Sequence, residues 1–227
     1  MAEVRKELET LLSLAPGKKI LLERELKPFL KGLGLNVPKG IFIKGKKKLV
    51  IRSISLRFPL VVKAITRDFR SKTEADAIIT CIGNLEQLNS AAHRLTDVKG
   101  AEGVLIEEMV QGGIEAAIGG AIDPQFGPVV MFGLGGFFIE LAKDVAFAPA
   151  PVDEAGAMKL AYSIKAADAL KGIRGKPPVS EAALSRAIVT VSEIISTGLL
   201  SEITLNPVSL FHDKTVVLDA KAVRGLS

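Results

Sequence analysis

Tryptophan is absent from the 227-residue chain, and tyrosine, cysteine and histidine are scarce, at one, one and two residues. A single thiol, Cys81, leaves no internal disulfide and fits a reducing compartment. His93 falls in a helical pattern and His212 in a turn, so no Cys/His set has zinc spacing. The few aromatic residues do not interleave with basic ones as single-strand stacking requires, which argues against nucleic acid as a partner. Long apolar runs are missing too. Phe126 to Ile139 is an uncharged stretch of 14 residues with four glycines, short of the ~18 that a membrane-spanning helix needs. The first ten residues alternate charges and do not read as a signal peptide. There is no G-x-x-x-x-G-K-[ST] loop and no nucleophile elbow. Gly133-Leu-Gly-Gly136 lacks the dinucleotide spacing, and a β-like segment follows it instead of a helix. These absences leave a globular, cytoplasmic protein with no membrane association as the expectation.

What is present is enough for a packed core: 48% apolar and 24% charged residues, net charge +5. The main basic run, Lys44 to Lys48, reads as a solvated loop. Val4, Leu8, Leu11 and Leu12 repeat at helical spacing, and Pro16-Gly17 stops that helix. A second helix carries Leu26, Phe29, Leu30 and Leu33, with Pro28 acceptable in its first turn and Gly34 as its stop. Strands are predicted at Gly40 to Ile43, Leu60 to Ile65 and Ala77 to Ile82, followed by a helix capped by Asn84. After Gly100 the pattern becomes hairpin-rich, with strands at Gly103 to Val110, Ile114 to Ile122, Val129 to Phe132 and Phe137 to Ala142. Asp153 and Ser180 are candidate caps of two further helices. Glu202 to Leu210 and Thr215 to Leu218 form a hairpin around His212-Asp213-Lys214. The expected organisation is α+β, with a helical N-terminal arm (1–19), a first lobe (20–100) and a second lobe (101–227).

Two features point to chemistry. Lys63 interrupts an otherwise apolar strand, so its ammonium either snorkels out or meets an anion. Asn206-Pro207 ends a strand and Asp219 lies late on the next. A hairpin there brings two hard oxygen ligands together, a set suited to Mg²⁺ completed by phosphate and water.

In combination these features resemble an ATP-grasp domain, and more narrowly the β subunit of ADP-forming acetyl-CoA (acyl-CoA) synthetases, from about Leu22 to Val223. The resemblance is carried by Glu23 to Pro38 with its Gly-Leu-Asn-Val-Pro end, and by Phe58-Pro-Leu-Val-Val-Lys-Ala64. It continues through Asp123-Pro-Gln-Phe-Gly-Pro-Val-Val-Met-Phe-Gly-Leu-Gly-Gly136 with Glu140 and Lys143-Asp-Val145. Gly172-Ile-Arg-Gly175, Pro177, Asn206-Pro207 and Val217-Leu-Asp219 complete it in order. It implies a two-lobe ATP-grasp fold with mixed or antiparallel sheets. It also implies that Lys63 contacts ATP phosphates, that Glu107 and the Met109 backbone read the adenine edge in the cleft between lobes, and that Glu115 lies near the ribose. Asn206 and Asp219 would hold Mg²⁺. The implied reaction is acyl-CoA + ADP + phosphate ⇌ acid + CoA + ATP, through an acyl phosphate and a phosphohistidine. The partner is a CoA-binding α subunit that carries a catalytic histidine and most of the acyl site.

The chain departs from the family at two places. Ser71 stands where the family β chain usually has a phosphate-carrying histidine, followed by the retained Lys72. Thr204 replaces an acidic residue two positions before Asn206. Arg70-Ser-Lys72 resembles the Arg-Gly-Lys stretch of succinyl-CoA synthetase β chains, which have no histidine there, so Arg70 and Lys72 are candidate phosphate contacts. Three readings stand: a subunit working with a single, partner-borne histidine; a nucleotide-binding but catalytically silent paralogue that scaffolds or regulates; and an unrelated binding module.

Overall fold

The computed structural model describes residues 1–45, 51–66, 77–135, 144–172, 175 and 177–225. The expected strand at Phe137 to Ala142, together with Glu140, Lys143, Arg70, Ser71 and Lys72, lies outside the described residues. The chain forms two compact units, Met1–Val37 with Gly112–Ser227, and Pro38–Gln111.

The smaller unit is a four-stranded antiparallel sheet of β2 (Gly40–Lys44), β5 (Ala101–Glu108), β3 (Leu60–Thr66) and β4 (Ile78–Ile82), in that order. Helix α3 (Leu85–Thr96) covers one face and buries Leu88, Ala92 and Leu95 against Leu60, Val62, Ala64, Val104 and Ile106. Alternation along the strands explains this set, because every second residue of β3 and β5 faces the helix. Asn84 caps α3 as expected, its side chain accepting from Gln87 N at 2.9 Å. Gly103 permits the β2–β5 pairing, since a Cβ there would lie 2.2 Å from the Ile43 carbonyl oxygen.

The larger unit is a seven-stranded antiparallel sheet. Its order is β1 (Ile20–Leu21), β11 (Ala220–Arg224), β9 (Leu200–Leu210), β6 (Ile114–Asp123), β7 (Gly127–Leu134) and β8 (Val145–Pro149), with β10 (Thr215–Val217) also paired to β9. Helix α5 (Glu181–Ser196), capped by Ser180, and α4 (Glu154–Ala161), capped by Asp153, pack on one face. Gly120 allows close approach there, because a Cβ would sit 3.0 Å from Ile195 Cβ. Helices α1 (Ala2–Leu14) and α2 (Glu23–Gly32) bury Val4, Leu8, Leu12, Leu26 and Leu30 in the same core.

The boundaries differ from the sequence expectation. Residues 1–19 are no separate arm, because the apolar stripe of α1 packs on α2 and α5. Residues 20–37 belong with the C-terminal part, since β1 pairs with β11 and Asn36 bridges Val216. The first lobe does not stop at residue 100: β5 is the strand between β2 and β3 and so belongs to the smaller unit. Helix α2 also begins about a turn earlier than its apolar pattern indicates. Glu25 Oε2 accepts from Leu22 N at 2.8 Å and secures that turn, which places Pro28 inside the helix. The proline forgoes only the bond to the Arg24 carbonyl, four residues before it.

Candidate functional site

In the smaller unit, Val61 pairs with Glu107 and Lys63 with Leu105, so Lys63 and Glu107 are diagonal neighbours on the sheet face turned away from α3. Their side chains meet, with Nζ and Oε2 3.0 Å apart and exposures of 9% and 3%. The lysine that interrupts the apolar strand therefore does not snorkel. It is held inside against a carboxylate. Charges this deep are tolerated when they compensate one another, and removing one takes that compensation from the other.

Glu107 thus presents its carboxylate to Lys63. The Met109 N–H donates to the Pro59 carbonyl at 2.9 Å, and the Met109 sulfur lies 3.8 Å from Cys81 Sγ. Glu108, beside them, is bound by Arg57 through its backbone N–H at 3.1 Å and its guanidinium at 3.5 Å. The Arg57 backbone N–H first, then its side chain and Lys39, hold the Glu108 carboxyl below the usual carboxylate range. The partnerships of Glu107 and of the Met109 N–H have no sequence signal, because they depend on cross-strand register and on the Pro59 turn.

In the larger unit, the hairpin expected around residues 211–214 is present, with Val217 paired to Val208. Asn206 lies within β9, not at its end, and Asp219 lies in the two-residue break between β10 and β11. The two are directly joined: Asn206 N donates to the Asp219 carbonyl at 3.2 Å. Asp219 Oδ1 accepts from Ala220 N at 2.7 Å, which fixes the carboxylate close to its own backbone. Leu205 and Ala220 are paired and core-facing, and Asn206 and Asp219, each next to one of them, are half-buried. Thr204 and Glu115 lie on the sheet face opposite that core, Thr204 paired with Gly119 and Glu115 with Ser209. The Thr204 hydroxyl donates to Glu202 Oε1 at 3.3 Å.

One amide oxygen from β9 and one carboxylate from the break after β10 would make a hard donor set too small for a closed cage. It fits Mg²⁺, which keeps waters and takes phosphate oxygens. Among the described residues no cluster of three or more His, Cys, Asp or Glu could hold a metal ion by itself.

Residues 13–223 match the ATP-grasp domain family. The chain is 33% identical to the acetate–CoA ligase [ADP-forming] I subunit beta of Pyrococcus furiosus, over 98% of this chain and 100% of that protein. The chain belongs to the ATP-grasp family of ADP-forming acetate–CoA ligase β subunits. Solved structures agree with this ATP-grasp assignment. Ca. Korarchaeum cryptofilum dinucleotide forming acetyl-coenzyme A synthetase 1, in complex with coenzyme A, Ca-AMPCP and HgCl+, matches at TM-score 0.86 and 31% identity, over 96% of this chain and 99% of that one. The same synthetase with coenzyme A and Mg-AMPPCP, its phosphohistidine segment pointing towards the nucleotide binding site, matches at TM-score 0.80 and 31% identity, covering 97% and 99%. The ATP-grasp fold and its α+β class, expected from the sequence, are those of the family. No helix among the described residues is long and apolar enough to cross a membrane.

Proposed function

We propose that this chain is the nucleotide-binding β subunit of a cytoplasmic ADP-forming acyl-CoA synthetase. It would move a phosphoryl group between ADP/ATP and a histidine on a CoA-binding α subunit. The observation that carries this reading is the correspondence with a β subunit over 98% of this chain and the whole of that one. CoA and the carboxylic acid reach the reaction through the partner.

The chemistry asks little covalent work of this chain. In the ATP-forming direction the P–N bond of the partner's phosphohistidine breaks as the terminal oxygen of ADP forms the new P–O bond. Such transfers depend on positioning and on neutralising charge at the phosphate oxygens. Lys63 supplies a fixed ammonium, and a phosphate oxygen would share or displace its contact with Glu107. Glu107 and the Met109 backbone would border the adenine, and Glu115 the ribose. Because the Met109 N–H is already committed, its carbonyl is left as the backbone group to meet the base. Asn206 and Asp219 would hold Mg²⁺, which when bound screens the phosphate charge. Arg70 and Lys72 would receive the partner's histidine segment, guanidinium forks being suited to phosphate oxygens.

Ser71 is no phosphate carrier in this scheme. A serine phosphate ester is stable where a histidine phosphoramidate is labile, and the hydroxyl would need a base. Incubation with γ-labelled ATP and a CoA-binding partner should place acid-labile label on the partner alone, lost in Lys72→Ala. Acid-labile label on this chain would overturn the single-histidine scheme. A second reading, a silent nucleotide-binding paralogue, is favoured by Ser71 and Thr204 together. Nucleotide binding with no label on any partner would decide for it.

A further inference from the structure

We propose that Lys27 is a positioning residue for the Asp219 carboxylate, acting from helix α2 through the carbonyl of Leu218. This rests on assigning Asn206 and Asp219 to the metal of a Mg-nucleotide.

Lys27 is 5% exposed, although a lysine on a helix surface can ordinarily extend its ammonium into water. Its Nζ lies 2.9 Å from Glu23 Oε2, one turn earlier on α2, and 2.8 Å from the Leu218 carbonyl oxygen. Glu23 is itself buried. A buried ion pair of this kind is weak as a stabilising device, because desolvation offsets the attraction, and apolar side chains of similar volume often do as well. The pair therefore calls for another reason, and the third atom of the group supplies it.

Leu218 and Asp219 form the break between β10 and β11, where the regular ladder lapses. Their backbone is held instead by hydrogen bonds to β9. Leu218 N and Asp219 N both donate to the Pro207 carbonyl, at 3.0 and 3.4 Å, Asn206 N donates to the Asp219 carbonyl, and just before the break Val217 N donates to the Asn36 carbonyl at 2.9 Å. The Leu218 carbonyl belongs to the peptide plane that leads into Asp219. Tying it to Lys27 fixes that plane, and with it the direction in which the Asp219 side chain leaves the backbone. It also places a positive charge behind a segment whose carboxylate must stay ionised to bind metal. Outer groups that orient a metal ligand typically change metal affinity by about 10–100-fold when removed.

This gives the segment 20–37 a role beyond packing. Its helix supplies the ammonium, and its exit residue Asn36 holds β10 through both its carbonyl and its side-chain amide, which donates to the Thr215 carbonyl at 3.0 Å.

The test uses the full chain at fixed ADP, with Mg²⁺ titrated and the melting temperature as readout. Lys27→Met alone takes the ammonium away from the buried Glu23 carboxylate, so the decisive variant is Lys27→Met/Glu23→Gln, which removes both charges. Its half-maximal Mg²⁺ concentration is expected to rise about tenfold or more, with the full ADP-dependent shift regained at saturating Mg²⁺. Glu23→Gln alone keeps the Lys27 donor on Leu218 and leaves the midpoint in place. Asp219→Asn serves as the reference and raises it further. A loss of packing alone would lower the melting temperature without moving the Mg²⁺ midpoint. An unmoved midpoint in the double variant, with Asp219→Asn shifted, overturns the role of Lys27. An unmoved midpoint in Asp219→Asn overturns the metal assignment and this inference with it.

Discussion

Each unit buries a lysine–glutamate pair, and the two pairs are built differently. Lys63–Glu107 joins two strands of the smaller unit diagonally, side chain to side chain. Lys27–Glu23 joins successive turns of one helix in the larger unit, and its ammonium also holds a backbone carbonyl. Both are more than nine-tenths buried, so burial cannot tell a binding cation from a bracing one. The partner does. A contact between two side chains can be exchanged for a ligand's phosphate by rotamer changes alone. A contact with a strand-break carbonyl instead fixes a peptide plane, and a lysine that turned away to a ligand would leave that plane without its side-chain anchor.

The largest expected effects test what the pairs share. Lys63→Met and Lys27→Met should each lower stability by about 3–5 kcal/mol, because each takes an ammonium away from a buried carboxylate. Adding Glu107→Gln or Glu23→Gln should recover much of that loss in chemical denaturation. A Lys63→Met chain as stable as the parent would mean that Glu107 is not held as a buried ion, and the likeness between the pairs would fail.

The next effect separates them. Mg-ADP at a hundred times its dissociation constant should stabilise the parent chain by about 2.7 kcal/mol. Lys63→Met/Glu107→Gln should abolish most of that increment at any Mg²⁺ concentration. Lys27→Met/Glu23→Gln should keep it once Mg²⁺ is saturating. Equal behaviour of the two double variants in calorimetry would erase the distinction between a ligand-binding and a bracing lysine.

The two pairs were unequally legible in the sequence. Lys63 stood out because a cation inside Leu60 to Ile65 contradicts its surroundings. Glu23 and Lys27 did not, because Glu–Lys at i,i+4 is the commonplace pattern of a solvated helix face. Caps at Asn84, Asp153 and Ser180, and the β6–β7 hairpin, follow from local chemistry and were readable. The allegiance of β5 was not, since it depends on pairing with strands about 40 to 60 residues earlier, and a hairpin-rich composition after Gly100 masked it. Likewise the Asn206–Asp219 pairing was readable from turn spacing, whereas the bridge from α2 spans 191 residues and has no local signature.

The smallest effect supplies the exposed counterpart to both pairs. Tyr162 Oη donates to Glu181 Oε1 at the surface of the larger unit. Tyr162 is the sole tyrosine and the chain has no tryptophan, so phenolate absorbance reports this group alone. The hydrogen bond to the Glu181 carboxylate, more than burial, raises the Tyr162 pKa above its ordinary value of 10.0. A raised folded-state pKa means that the folded chain holds the proton more tightly than the unfolded one. The small stabilisation is therefore complete below about pH 10 and is lost as pH rises through the folded value. An absorbance titration should show a midpoint above that of the unfolded chain, and Glu181→Gln should bring it down while leaving the melting temperature at pH 7 nearly unchanged, as for other exposed polar contacts. If Glu181→Gln instead destabilised the chain as strongly as Lys63→Met, burial would not be what sets the size of these effects, and the comparison of the two buried pairs would lose its baseline.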